Sequence, residues 1–378
     1  MKSSIKMACI RAGALLASLS LWSGACAEAT FVDKPLTYRV RNMDGHVVSA
    51  TVPYVVTEDA VVADRINTLL HLQLLRTLPP SGKLAATRLI DYSFPLESMD
   101  GSLGLTNGGR VLTVTVQSEG CGAYCSSGST DYSFDTRTGR FLTEEELITP
   151  EGKAALAALA VKSHAAAVRA KIAQIKKAVR NKTDMLDDES RNVQLQMYEN
   201  CLAARYTADG SDHAWFFDGP GDIDIGDGAI SFSQGACGYH AVQALDDLGE
   251  FVLTFQGEAM RPYLTAYGKY LLLGEGDGRM PAINRYAQIF HGKIGANAVT
   301  LYMTLAENSS IHWGALYVYD RYGIPIDLSE KKDGDAIEMT ETGSKESPPP
   351  VLRFRVQGQK LVGQWSGGGK GYAFEAGP

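Results

Sequence analysis

The 378-residue sequence has no apolar run of the ~20 residues that a membrane-spanning helix needs. An ordinary transmembrane segment is therefore not expected. The compact motifs that announce a common chemistry are also missing. There is no G-x-S-x-G on which to build a serine-hydrolase elbow, no H-E-x-x-H, and no histidine pair at helical spacing for a metal. The histidines are scattered (His46, His71, His164, His213, His240, His291 and His312), with no local cluster. His164 falls beside an apolar helical stripe and reads as a packed residue rather than a ligand.

Two segments invite a chemical reading and fail it. Asp222 to Gly228 resembles a calcium loop, but Gly226 stands where the third carboxylate belongs and Ser233 where the bidentate glutamate belongs. A Gly/Asp turn between strands is the expectation. Ser366 to Gly371 lacks the second half of a phosphate-binding loop and reads as a hairpin tip. No catalytic residue, metal ligand or cofactor is assigned. A carboxylate pair for glycoside hydrolysis stays open, because acids that meet in space need not be near in sequence.

Basic residues are in deficit. Lysine and arginine number 36 against 43 acids, a formal net charge of −7. The first residues carry Lys2, Lys6 and Arg11 and no acid, then the apolar stretch Ala12 to Trp22, then Ala25-Cys26-Ala27. This is the pattern of a signal peptide over residues 1–27, cleaved before Glu28. Its loss removes three basic charges and takes the net charge to −10. A nucleic-acid partner is disfavoured, whereas a cationic partner suits such a surface. The expected location is periplasmic or secreted. Lipidation at Cys26 is the lesser alternative, since Ser23 stands where a lipobox has leucine.

Cysteine is scarce: six in all, of which Cys9 and Cys26 leave with the signal. The even remainder (Cys121, Cys125, Cys201 and Cys237) reads in an oxidising compartment as two disulfides. Of the three pairings, Cys121 with Cys125 and Cys201 with Cys237 are favoured, the first because both lie in one Gly-rich loop.

Strands are expected at Leu36 to Met43 and Val47 to Val56, then a helix opened by Thr57 as cap with acids in its first turn. Val62, Ile66, Leu69 and Leu70 give that helix an apolar face, and Pro79-Pro80 ends it. Val111 to Val116 reads as a strand. An amphipathic helix carries Val161, Ala165, Val168, Ile172, Ile175 and Val179 on one stripe and a solvated basic face opposite. From about Ile289 the pattern changes to short strands and tight turns, and the prolines of Ser344 to Pro350 mark an exposed loop. The organisation read from this is an α+β unit over 28–268, in which an antiparallel sheet packs with helices. A linker over 269–287 and a small all-β sandwich or barrel over 288–378 follow.

Several features occur in a fixed order: a strand pair, a helix containing Ile66-Asn67, a strand into a Gly-rich loop, and Tyr132-x-Phe134-Asp135-x-x-Thr138-Gly139-x-x-Leu142 followed by Glu145-Glu146-Leu147. Over roughly residues 35–268 this resembles the family of extracytoplasmic domains that includes the lysozyme-binding ectodomain of an anti-sigma factor. The N-terminal domain of some secreted polysaccharide deacetylases belongs to the same type. The C-terminal part is similar to small β-domains appended to such proteins, with Phe290 to Gly295, Tyr317 to Gly323 and Gly363 to Trp365 carrying the pattern. The resemblance implies a non-catalytic binding domain. The expected partner is a cell-wall-related protein or glycan, with a cationic lysozyme as the sharpest expectation. The first contact candidates are Tyr124, Ser127, Ser129 and Asp131, on the cysteine loop. A polysaccharide-acting envelope hydrolase and a structural or assembly module are the competing readings.

Overall fold

The computed structural model of the protein describes residues 30–80, 89–92, 95–121, 125–181, 186–205, 223–226, 228–238, 240–281, 288–303, 315–333 and 336–378. The expected signal segment lies outside them. No described helix is long and apolar enough to cross a membrane.

The fold is α+β. Its N-terminal strands are β1 (Val32–Asp33), β2 (Leu36–Arg41), β3 (Val47–Val52), β4 (Val55–Val56), β5 (Leu89–Asp91), β6 (Leu96–Thr106), β7 (Val111–Cys121), β8 (Cys125–Asp135) and β9 (Arg140–Phe141). Seven of them form one sheet in the order β5-β2-β3-β6-β7-β8-β9. The pairings are antiparallel except β2–β5 and β3–β6, which run parallel. β6, β7 and β8 form a long meander, with ten or more paired positions at each interface. Alternate residues of the sheet (Val40, Ala50, Val52, Leu112, Val114, Val116, Tyr132 and Phe134) point into one core.

That core is built on helix α1 (Ala60–Leu75). Its N-cap is Asp59, whose carboxylate accepts from the backbone N–H groups of Val61 and Val62 at 2.9 and 3.2 Å. This corrects the expectation of a Thr57 cap: the helix starts further along, and Thr57 Oγ1 is buried without a hydrogen-bond partner. At the other end Arg76 adopts a left-handed conformation (φ 53°), and its N–H returns to the His71 and Leu72 carbonyls.

From Ile66 to Leu75 the helix is buried on nearly every side. Val62, Ile66 and Leu69 are buried, and so are Leu70, Leu72, Leu74 and Leu75, which a helix lying on one sheet would not need. Two of its polar residues are fully engaged. The Asn67 carboxamide bonds both the N–H and the carbonyl of Val55, at 2.7 and 2.8 Å. His71 sits between the Asn67 carbonyl (Nδ1, 2.7 Å) and the Tyr38 hydroxyl (Nε2, 2.8 Å). A carbonyl only accepts, so Nδ1 carries the proton and Nε2 accepts from Tyr38.

The second face of α1 meets the C-terminal strands: β13 (Gln288–Ile294), β14 (Asn297–Met303), β15 (Ala315–Tyr319), β16 (Pro325–Asp333), β17 (Ala336–Glu341), β18 (Val351–Gln357), β19 (Lys360–Gly367) and β20 (Lys370–Gly377). Each pairs antiparallel with the next, and β20 closes on β13 through Ile294 and Phe374, giving an eight-stranded up-and-down barrel. Of the two architectures the sequence left open, the barrel is the one present. Gly292 permits the closure, because a Cβ there would lie 2.1 Å from the Glu375 carbonyl.

The strands alternate cleanly. Phe290, Leu301, Tyr317, Met339, Phe354 and Phe374 fill the interior. On the outside, Ile289, Tyr302, Leu316 and Val318 join the α1 core. Polar contacts frame that seam: Tyr302 Oη donates to Gln73 Oε1 at 2.7 Å, Arg76 pairs with Asp327, and His291 Nε2 lies 3.2 Å from Asp64.

The remaining elements make a separate core on the outside of β7 and β8. They are α2 (Glu144–Leu147), α3 (Pro150–Asn181), α4 (Asp188–Arg205) and a three-stranded sheet of β10 (Ile223–Gly226), β11 (Ala229–Gln234) and β12 (Phe251–Gln256). Val111, Leu147, Leu156, Ala160, Ile225, Ile230 and Tyr267 fill this core. His164 is 2% exposed and stacks on Phe251 at 4.8 Å, the packed role its position predicts. Val179, expected on the buried stripe, is exposed, because the packing of α3 ends before its last turn.

The environment of His71 makes stability depend on pH. Burial holds its pKa down at about 4, against 6.5 for an ordinary histidine. With the folded value depressed, the stabilisation is complete above pH 6.5, declines as the unfolded chain takes up the proton, and levels off below about pH 4. The loss over that interval is about 3 kcal/mol. Denaturant titrations at several pH values check this: in His71→Leu the corresponding part of the slope between pH 6.5 and 4 disappears.

Candidate binding face

The cysteine loop is the end of the β7–β8 hairpin. Cys121 and Cys125 face each other directly across the two strands and are disulfide-bonded, with Cα atoms 3.9 Å apart. The Cys121 N–H donates to the Pro95 carbonyl at 2.9 Å, which ties the hairpin end to the start of β6. Cys201 of α4 is bonded to Cys237, which follows β11.

Of the four contact candidates, Tyr124 lies outside the described residues. Ser127 and Ser129 are exposed and Asp131 is half-buried. Their spacing of two places all three on one face of β8. Register then fixes their neighbours. Ser127 faces Glu119, Ser129 faces Gln117 and Asp131 faces Thr115 on β7. Those in turn face Ser98, Asp100 and Ser102 on β6. The opposite face, with Val114, Val116 and Tyr132, belongs to the α1 core.

The result is a polar strip, three strands wide, opposite the core. Its positions hold three acids, five hydroxyl residues and a glutamine, with no lysine or arginine. Asp100 and Glu119 are exposed. Asp131 is the unusual member: its Oδ1 is buried and accepts no hydrogen bond, a costly state for a carboxylate oxygen. A fourth acid feels the same field. The Asp33 carboxyl, held by the Tyr54 N–H at 3.3 Å, is pushed above its ordinary range, mainly by burial and further by the charge of Asp100. Such a surface can accept cationic side chains and hydroxyl donors.

The other motifs are structural. Phe134 is fully buried. Asp135 accepts from Tyr267 Oη at 2.7 Å and from the guanidinium of Arg137 at 2.9 and 3.2 Å. Gly139 turns the chain at φ 68°, and a Cβ there would stand 2.7 Å from the Val62 carbonyl. The Phe-Asp-x-x-Thr-Gly signature thus seats the β8–β9 turn against α1.

In the barrel, Tyr317 is buried and, with Trp365 Nε1 (3.0 Å), donates to Glu341, while Trp365 stacks on Tyr372. Gly368 and Gly369, both at positive φ, form the tip of the β19–β20 hairpin. Of the calcium-like segment, Asp222 and Asp227 lie outside the described residues. Ile223–Gly226 is β10, paired antiparallel with β11.

No family model matches the sequence, and no curated protein matches it significantly. Among solved structures, a DUF3298 family member from Bacteroides fragilis aligns over 63% of this chain and 93% of its own, at 12% identity and a TM-score of 0.34. A DUF3298 family protein from Pseudomonas aeruginosa aligns over 63% of this chain and 94% of its own, at 10% identity and a TM-score of 0.31. Likeness at this level does not carry their family assignment over to this chain.

The two disulfides should contribute unequally. In the chain-entropy model, a bridge separated by 36 residues stabilises by about 4 kcal/mol and one separated by 4 residues by about 2 kcal/mol. Denaturant unfolding of the Cys201→Ser/Cys237→Ser and Cys121→Ser/Cys125→Ser proteins is expected to show the larger loss for the former.

Proposed function

We propose that this is an exported, non-catalytic binding protein of the cell envelope, and that the outer face of β6, β7 and β8 takes a cationic protein partner, lysozyme being the specific candidate. The observation that supports this most is the composition of that face: Asp100, Glu119 and Asp131 stand among hydroxyl side chains, with no lysine or arginine at the paired positions. A lysine or arginine from a partner would form charge-assisted bonds with the exposed carboxylates of this face, Asp100 and Glu119 first. Tyr124, Ser127 and Ser129 are the accompanying contacts in this reading. The net charge of −10 expected after signal removal speeds the encounter with a cationic protein. The motif resemblance to lysozyme-binding ectodomains points the same way.

The test is a titration of the oxidised mature protein against lysozyme at low and physiological salt, with muramidase activity followed in parallel. Saturable binding that persists at physiological salt is expected. Asp131→Asn should weaken it by roughly tenfold, and Asp100→Asn with Glu119→Gln should mainly slow association. Binding that vanishes with salt, or that is unchanged when all three acids are neutralised, would refute the assignment.

A further inference from the structure

Helix α3 concentrates positive charge in an otherwise acidic chain. It carries seven basic residues and one acid, Glu151 in its first turn, whereas the whole sequence has a net charge of −7. At 3.6 residues per turn, Lys162, Arg169, Lys176, Lys177 and Arg180 fall within about 100° of the helix circumference. All five are exposed, and they form a row over about 27 Å of helix. The other positions of that sector within the row are Ala166 and Ala173, both exposed, so the cations stand clear of bulky neighbours.

Internal pairing does not account for the row. Lys176 pairs with Glu199 of α4 at 2.8 Å, where both side chains are half exposed. Lys171, which lies off the row, pairs with Asp247. Among the described residues, Lys162, Arg169, Lys177 and Arg180 have no carboxylate partner, although acids are in excess. Packing does not account for it either, because the buried positions Val161, His164, Val168 and Ile175 lie away from the row. One apolar residue extends it: Leu159, 44% exposed, falls in the same sector less than a turn before Lys162.

We infer that this face of α3 docks on the surface of an anionic lipid bilayer. The cations meet headgroup phosphates, the alanines allow close approach, and Leu159 reaches the acyl boundary. A basic cluster of this size on an amphipathic helix is the pattern such a surface attracts. The exposed leucine favours a bilayer over a soluble polyanion, which has no apolar layer to receive it. The helix lies on the membrane and does not cross it, since no described helix is long and apolar enough. Acids elsewhere on the molecule do not prevent contact, because charges more than about 8 Å apart are largely screened at physiological salt. This docking uses none of the residues assigned to the lysozyme reading and does not rest on it.

Co-sedimentation of the oxidised mature protein with phosphatidylcholine vesicles, with and without phosphatidylglycerol, tests the inference. Soluble polyphosphate serves as a second ligand. Partitioning is expected only with phosphatidylglycerol present, and it should fall as salt is raised. Each cation near such a surface is worth about fivefold, so Arg169→Gln with Arg180→Gln should reduce partitioning at least about tenfold. Glutamine keeps the helix propensity, and the melting temperature should not change. Arg355→Gln with Lys370→Gln, exposed on β18 and β20, makes the same change in net charge and should leave partitioning unaltered. Leu159→Gln should weaken partitioning to vesicles and leave any association with polyphosphate as it was. Failure to bind anionic vesicles would overturn the inference, as would equal binding of pure phosphatidylcholine or an equal loss in the barrel variant. So would binding of polyphosphate but not vesicles through the same two arginines, or self-association that those arginines control, which would assign the face to a second copy.

Discussion

The structure depends on the burial of one helix from two sides. From Ile66 to Leu75 α1 is buried on nearly every side, and its apolar residues share a single core with the N-terminal sheet and with the outer wall of the barrel. Burying a side chain such as Leu72 or Leu316 is worth about 1.5–3 kcal/mol, and the two β units together cover the helix from Ile66 onward. Two of the polar side chains buried on α1 are satisfied within the protein: Asn67 bonds β4 on both sides of its carboxamide, and His71, kept neutral by burial, is bonded to Tyr38 and to its own helix. The barrel is therefore part of the body that fixes the sheet, although its interior is a self-contained core of its own.

The acidic face follows from this arrangement. With one side of β6, β7 and β8 committed to α1, period-two alternation turns Ser98, Asp100, Glu119, Ser127 and their neighbours to the other side. The β10–β12 sheet and α3 cover the part of that side near Val111, leaving the strip toward the disulfide end. The hairpin end is anchored by Cys121–Cys125 and by the Pro95 carbonyl, so the acids are displayed on a braced surface. The signature residues Phe134, Asp135 and Gly139 serve the scaffold, and any recognition is left to residues outside the signature.

Much of this was legible from local pattern, and what was not has a physical reason. The β-branched run Val111 to Val116 and the short turn-punctuated strands after Ile289 are strong signals, and they gave the α+β class and the closing β unit. Ser127 and Ser129 read in the sequence as part of a Gly/Ser-rich loop, and only the pairing of β8 with β7 places them with Asp131 on one face of a strand. Their partners Asp100 and Glu119 could not be read, since register is set by the hairpin ladder and not by composition. The apolar stripe Val62, Ile66, Leu69 and Leu70 predicted a helix with one buried face. The side that carries Gln73 and Arg76 gave no cue to the second, because the barrel residues that meet it, Tyr302 and Asp327, come from far later in the chain. Thr57 and Asp59 both satisfy the rule for a cap, and only the backbone path selects Asp59.

The measurement that tests the central claim most directly is native-state hydrogen exchange, resolved by element, under conditions where opening is at equilibrium. If α1 joins the two β units into one cooperative body, the slowest amides of α1, of β7 and of the barrel strands β14 and β15 will share one opening free energy and one denaturant dependence. If β14 and β15 open at a much lower free energy while α1 and β7 stay protected, the barrel is an independent appendage and the shared core does not hold the molecule together.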